Sequence, residues 1–257
     1  MIKYFLLFVG LYIFLGAFEM WFPAEPGQTP MGRARNMAFT VIFFAGGLSA
    51  LALIHTLFNL KGSYLPDHGV LFSMLIVLVD IFLIDFIFYW YHRAEHTFPI
   101  LWLIHELHHS DTELNATTSI RTYWLEYPIQ VLFVHFPVIY LVGLDLRALV
   151  ILPIVKAVWL FFTHANWRLH FGFLTPIICG PQLHRIHHSN VPHHQAKNFA
   201  QFFPIFDILF GTYYAPTRDE FPQTGTPGLA TDASISEVLL KPFKGWLLFL
   251  KKALVVY

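Results

Sequence analysis

The sequence has a single cysteine, Cys179, in 257 residues. One cysteine excludes an intrachain disulfide and any cysteine-based zinc or iron–sulfur site. Left free, it reads as a small buried apolar residue. Charge is scarce too. Asp, Glu, Lys and Arg make up 12% of the chain, against about 25% in an ordinary soluble domain. Formal net charge is zero, so nothing points to a nucleic-acid partner. No internal repeat or low-complexity segment is evident. The first apolar run is followed by no small-x-small cleavage site, so it reads as an uncleaved helix rather than a signal peptide. What the chain does have is apolar bulk, 56% of residues, and 15 histidines. That balance is the composition of an integral membrane protein.

The histidines are patterned. His92 and His96 form H-x-x-x-H; His105, His108 and His109 form H-x-x-H-H; and the second motif returns as His184, His187 and His188. On a helix, residues three and four apart share a face. Three such faces can converge, and stacked imidazoles are costly to bury without a partner. Neutral imidazole suits Fe, Zn, Cu or Ni, so the spacing points to a polynuclear, all-histidine metal site at a membrane surface.

Along the chain, Ile2–Phe22 predicts a first span and Ala38–Leu60 a second, interrupted at Gly46-Gly47, with Asn36 as its cap and His55 as a structural histidine. Lys61–Gly69 reads as a turn. Val70–Tyr91 predicts a third span that delivers His92. It contains Asp80 and Asp85, and charges within spans are expensive. Asp85 lies seven residues before His92, placed to accept the second N–H of a ligand histidine. Trp124–Leu144 and Leu146–Phe162 predict a hairpin that returns the chain to the same side, kinked at Pro128, Pro137 and Pro153, with His135 structural. His164 then sits where it can join the first two clusters. His170 is left open between ligand and solvent, and His193 and His194 read as a solvated pair. Asn198 either orients a bound water or caps a helix. Phe199–Tyr214 reads as a helix packing on the site or lying in the interface, and Val238–Tyr257, with four lysines among apolar residues, as a surface-lying helix. Arg33 and Arg35 after the first span make the first loop cytoplasmic, which places His92 and the later clusters on the cytoplasmic side. Arg93, Arg121, Arg168, Arg185, Lys197 and Arg218 agree with that orientation; Lys3 disagrees.

The expected fold is therefore an all-α polytopic membrane bundle of about four to five spanning or hairpin helices with a cytoplasmic histidine-rich cap. Three parts are expected: N-terminal helices over 1–69, a catalytic domain over 70–215, and a loop with an interfacial helix over 216–257.

The stretches DFIFYWYHRAEH, LWLIHELHHS, Asn115–Arg121 with Glu126, the His164 segment, HRIHHS and KNF…FPIFDILFGTYY resemble the fatty acid hydroxylase/sterol desaturase superfamily of integral membrane diiron oxygenases. The resemblance runs from about Val70 to Tyr214. It implies two iron ions held by His92, His96, His105, His108, His109, His164, His184, His187 and His188. It also implies O2 as cosubstrate and a lipid substrate. The departures, KNFA where a glycine often follows and Phe206 where a tryptophan often stands, touch no ligand position. With no fused cytochrome-b5-like domain visible, a separate donor is expected, ferredoxin or cytochrome b5 with a reductase.

The residue-level reading agrees in chemistry. About nine histidines exceed one tetrahedral zinc site and suit two metals. A site opening from a membrane bundle calls for a lipid-like substrate, a sterol or isoprenoid or a fatty acyl lipid, oxidised by hydroxylation or desaturation. A membrane zinc hydrolase, with Glu95 or Glu106 as base, is the alternative. A metal transporter would place its ligands at mid-membrane rather than at span ends.

Overall fold

The computed structural model describes residues 2–58, 65–143 and 145–255. His55's side chain and residues 61–64 of the expected Lys61–Gly69 turn lie outside the described residues. Helices account for every regular element among the described residues, with no strand. In order they are α1 Ile2–Trp21, α2 Pro30–Phe58, α3 Val70–Thr97, α4 Pro99–His109, α5 Glu126–Gln130, α6 Phe136–Val142, α7 Ala148–His164, α8 Pro181–His187, α9 Ile205–Leu209 and α10 Ile235–Val255.

α2 starts eight residues before the expected Ala38: Pro30 takes its first helical position, which needs no N–H. Asn36 thus sits inside the helix and not at its cap: its amide donates to Asp111 Oδ2 and Thr117 Oγ1, both at 2.7 Å. Gly46 and Gly47 do not interrupt the helix either. They let it approach the chain beneath, where a Cβ at Gly46 would stand 2.9 Å from Trp124 Cβ.

α3 organises the packing. Ile76, Val77 and Ile81 meet Ala148 at the start of α7 and Phe202, while Ile84 meets Val134 and Val138 on the α5–α6 rod. The opposite face of α3 carries Leu71, Leu75, Leu78, Phe82 and Phe86 exposed. Among the described residues, Val70–Thr97 is the one helix long and apolar enough to cross a membrane, and Glu126–Val142 and Val150–His164 are shorter apolar helices. These two form the expected hairpin, turning at Gly143 (φ 93°), a conformation glycine adopts without strain. Pro137 has no N–H to give the Phe133 carbonyl, and the ladder widens into a π turn, Val131–His135, just before it.

The cores run across the 69/70 and 215/216 boundaries. Phe39 of α2, Ile104 and Leu107 of α4, Tyr123 and Val238 of α10 share one cluster. Leu15 of α1 packs with Ala116 and Phe161. Glu19, buried in α1, accepts the amides of Ala116 and Asn166 and the Arg33 guanidinium. α10 is held by Trp246 Nε1 donating to the Ile100 carbonyl and by the Lys241–Glu106 ion pair, with Leu240, Leu247, Leu248 and Leu250 left exposed. The Phe199–Tyr214 stretch is mainly loop and not a helix; Pro204 and Gly211 confine α9 to Ile205–Leu209.

Candidate metal centre

Local sequence places each histidine. Phe98 ends α3 and caps α4, with Pro99 at the first helical position of α4. The chain folds back there, and the H-x-x-H-H face of α4 meets His92 and His96. His164 is the last residue of α7, and Pro181 starts the short α8 that ends in His187, with His188 as its cap. Nine rings converge into two groups: His92, His96, His105, His109 and His187, and beside them His108, His164, His184 and His188. Within each group the ligand-capable nitrogens all lie within 4.8 Å of one another. These are the nine histidines the sequence singles out. The groups adjoin: the His109 and His188 rings stack at 4.3 Å.

The hydrogen bonds fix the tautomers. Nδ1 of His92 faces the Phe199 carbonyl at 2.8 Å, that of His187 the Lys197 carbonyl at 2.8 Å, and that of His164 the Leu160 carbonyl at 2.7 Å. Nδ1 of His105 lies 3.2 Å from Glu126 Oε1 and 3.5 Å from Glu95 Oε2. Carbonyls and carboxylates only accept, so these Nδ1 atoms carry the hydrogen and each neutral ring keeps its lone pair on Nε2. Those Nε2 atoms point at each other: His92 to His105 at 3.0 Å, His164 to His108 at 3.1 Å and His164 to His184 at 2.9 Å. Between His92 and His105 both atoms present lone pairs, which repel. A proton on His105 would relieve that one contact; a metal cation relieves the whole group. His96 Nε2 and His187 Nε2 are buried without a hydrogen-bond partner.

Spacing adds to the fit. Nitrogens about 2.1 Å from an ion stand roughly 3.0 Å apart at right angles and roughly 3.4 Å apart in a tetrahedron. The five shortest Nε2–Nε2 separations, 2.9–3.2 Å, are of the size that two ligands sharing one ion require. Burial and neighbouring imidazoles hold His108, His109, His184 and His188 well below the ordinary histidine pKa, and burial depresses His187 to about 3. Those five rings are neutral at pH 7, which is the ligand form, whereas at His105 the Glu95 and Glu126 carboxylates outweigh burial and raise the pKa.

Asp85 lies elsewhere than expected. Its carboxylate meets no histidine and instead accepts the backbone amides of Gln201, Phe202 and Phe203 at 2.6–3.1 Å. Seven residues is nearly two helical turns, so Asp85 shares a face with His92 but sits about 10 Å farther down the axis. Asn198 caps no helix among the described residues. At φ 56° its side chain pairs with the backbone of Tyr214, donating to the carbonyl and accepting the amide. Both residues pin the 196–203 loop, whose Lys197 and Phe199 carbonyls hold His187 and His92. Asp207 does the same, accepting the Phe199 and Ala200 amides.

The other histidines separate. His170 accepts the Gly172 amide and belongs to neither group. His193 is exposed as expected, but His194 is buried between Ser189 Oγ and Glu220 Oε1, both at 2.9 Å. Cys179 is buried and free. Spacing overlooks Glu126 as the partner of His105. Its only sequence signal is its place after the Asn115–Arg121 stretch. That stretch itself folds into a buried network in which Arg121 donates to Asn36, Ser110 and the Leu107 carbonyl, behind α4.

A cavity of about 270 Å³ opens onto both groups, at His92 and His105 and at His108, His164 and His184. Phe43, Phe44, Leu48, Phe88 and Phe161 make its apolar wall. A second, more polar opening of about 400 Å³ reaches His96, His109 and His187 from the other side, past Trp102 and Gln195.

A family model described as Fatty acid hydroxylase matches residues 77–212, more than half of the chain. Among curated proteins, human (Homo sapiens) alkylglycerol monooxygenase is 32% identical over 139 residues, 51% of this chain and 29% of its own length. An ornithine lipid hydroxylase of Rhizobium tropici is 29% identical over 167 residues, 65% of this chain and 50% of its own. A very-long-chain aldehyde decarbonylase of Oryza sativa is 28% identical over 208 residues, 77% and 75% respectively. The chain thus spans half or less of the length of the first two relatives. No solved structure matches it. With the family match running from within α3 through α9 and taking in all nine clustered histidines, the chain belongs to the fatty acid hydroxylase family.

Proposed function

We propose that this protein is a membrane-bound, O2-dependent lipid oxygenase that hydroxylates or desaturates a C–H bond, using one iron ion in each histidine group. The observation that carries the reading is the pair of adjacent groups of converging imidazoles at the end of an apolar cavity. Bound there, two ferrous ions would supply O2 reduction, with two electrons from outside, and oxidation of an unactivated C–H bond. The chain's own residues do the rest. Glu126 and the Lys197 and Phe199 carbonyls hold the ligand rings in one tautomer, which sets their aim and basicity. The phenylalanine wall takes an alkyl chain and excludes water from the reacting carbon.

The family and its lipid-oxidising relatives support lipid as the substrate class, fatty acyl or sterol-like. The exposed apolar face of α3 and the α6–α7 hairpin support a multi-pass membrane position with the histidines on the cytoplasmic side. The polar opening beside Trp102 suits approach of a separate donor, a ferredoxin or cytochrome b5 with its reductase. A zinc hydrolase reading would leave about five of the nine histidines without a role, since zinc takes four ligands.

The test compares lipid extracts of aerated cells making the wild type or His187→Ala, by untargeted mass spectrometry, with metal analysis of the purified proteins. A lipid series gaining one oxygen or losing two hydrogens only with the wild type, and two irons per chain, is the expected result. Identical lipidomes in a host that supplies donor and lipid, with zinc in the protein, would overturn the reading.

A further inference from the structure

The cavity contains a lysine that makes no ion pair among the described residues. Lys156, midway along α7, lines it, and its Nζ lies 3.2 Å from His135 Nε2, the one hydrogen bond its side chain makes among the described residues. An ammonium only donates, so His135 accepts through a lone pair and stays neutral. It orients the charge without cancelling it. Two acids of the bundle have other partners. Asp85 accepts three backbone amides and acts on Lys156 only through its field, and Glu126, in the same cavity wall, receives His105 and Gln130 on Oε1 while its Oε2 is unpaired. A charge kept in a membrane-embedded helix is costly and is characteristically retained for a functional partner.

We infer that Lys156, aimed by His135, anchors an anionic group of the lipid, a carboxylate or a phosphate, inside the cavity. The ammonium would hold that group at a fixed point. The carbon presented to the histidines is then set by its distance along the alkyl chain from the anion. This rests on the reading of the cavity as the substrate's. It makes Lys156 a specificity-determining residue and favours charged over neutral amphiphiles of equal chain length.

Binding is measured on the metal-free protein in detergent at pH 7.0, where the lysine keeps its proton and no carboxylate can bind iron instead. The probes are oleic acid, oleyl phosphate and oleyl alcohol. The wild type is expected to bind at least one anion 10-fold or more tighter than the alcohol, and which anion wins names the source of the charge. Lys156→Met should remove that preference and leave alcohol binding unchanged, which also reports that the cavity is intact; Lys156→Arg should keep it. Equal binding of all three probes by the wild type, or an anion preference that survives in Lys156→Met, overturns the assignment. Should Lys156→Met lose the alcohol as well, Lys156→Gln takes its place, read by the same rule. No iron and no turnover enter the measurement, so its failure is distinct from a failure to oxidise lipid.

Discussion

Among single residues, Glu126 shows how a side chain outside the histidine motifs can govern them. It fixes the His105 tautomer, and losing such an outer partner typically costs 10–100-fold in metal affinity or activity. Glu126→Gln is expected to lower iron occupancy by roughly that factor, and Glu126→Ala by more, as measured by metal titration of the purified variants. His194 gives a pH prediction away from the metal centre. Burial pushes its pKa down beyond what Glu220 restores, while Glu220, despite its own burial, is held low by the Thr217 amide, the Tyr214 hydroxyl and His194. Both folded-state values lie below the unfolded ones. Their stabilisation is therefore present at neutral pH and is lost as pH falls, first through the histidine range and then through the carboxylate range. Hydrogen exchange at pH 7.5 and 5.5, corrected for intrinsic rates, should show residues 189–220 losing protection more than α3.

For the elements, the 196–203 loop has the most leverage. It supplies two of the carbonyls that aim ligand rings, and Asp85 holds it through three backbone amides. Asp85→Ala leaves those amides unsatisfied, at about 1–3 kcal/mol each before relaxation. The expected result is a lower melting temperature and iron lost first from the group containing His92 and His187; Asp85→Asn, which still accepts, should be milder. Spectroscopic iron quantification during a chelator time course separates the two groups. The contact between α2 and the segment entering α5 gives a second prediction. A side chain at Gly46 has no room against Trp124, so Gly46→Val should destabilise by about 1–3 kcal/mol, read from the thermal or denaturant midpoint.

In the whole molecule, nine imidazoles, eight of them buried, aimed at two points would make a bound metal part of the fold. An ion that binds the folded but not the unfolded chain stabilises it by mass action. Chelation is expected to lower the melting temperature, and ferrous ion to restore it with a break at two equivalents per chain. A break at one equivalent would count against two metals. The outward leucines and phenylalanines of α3, and those of α10, are exposed apolar side chains of the kind that a lipid environment covers, in keeping with the membrane position proposed.

The sequence by itself determined the class of the fold and the identity of the clustered residues. Hydropathy and 3.6-residue periodicity are local, so α1, α3 and the Gly143 hairpin were legible to within a few residues, and so were the nine histidines, because i, i+3 and i+4 spacing fixes a helix face. The Nε2 contacts, the split into five and four, the carbonyls of Lys197 and Phe199, and the roles of Asp85, Asn198 and Glu126 depend on segments far apart in the chain. Asp85 shares a helix face with His92, yet a rise of 1.5 Å per residue carries it out of reach, and the loop that occupies it comes from more than a hundred residues later. Only the tertiary structure decided those partners, because a side chain's hydrogen bonds are set by whatever packs against its face, and nothing in the local sequence records what that will be.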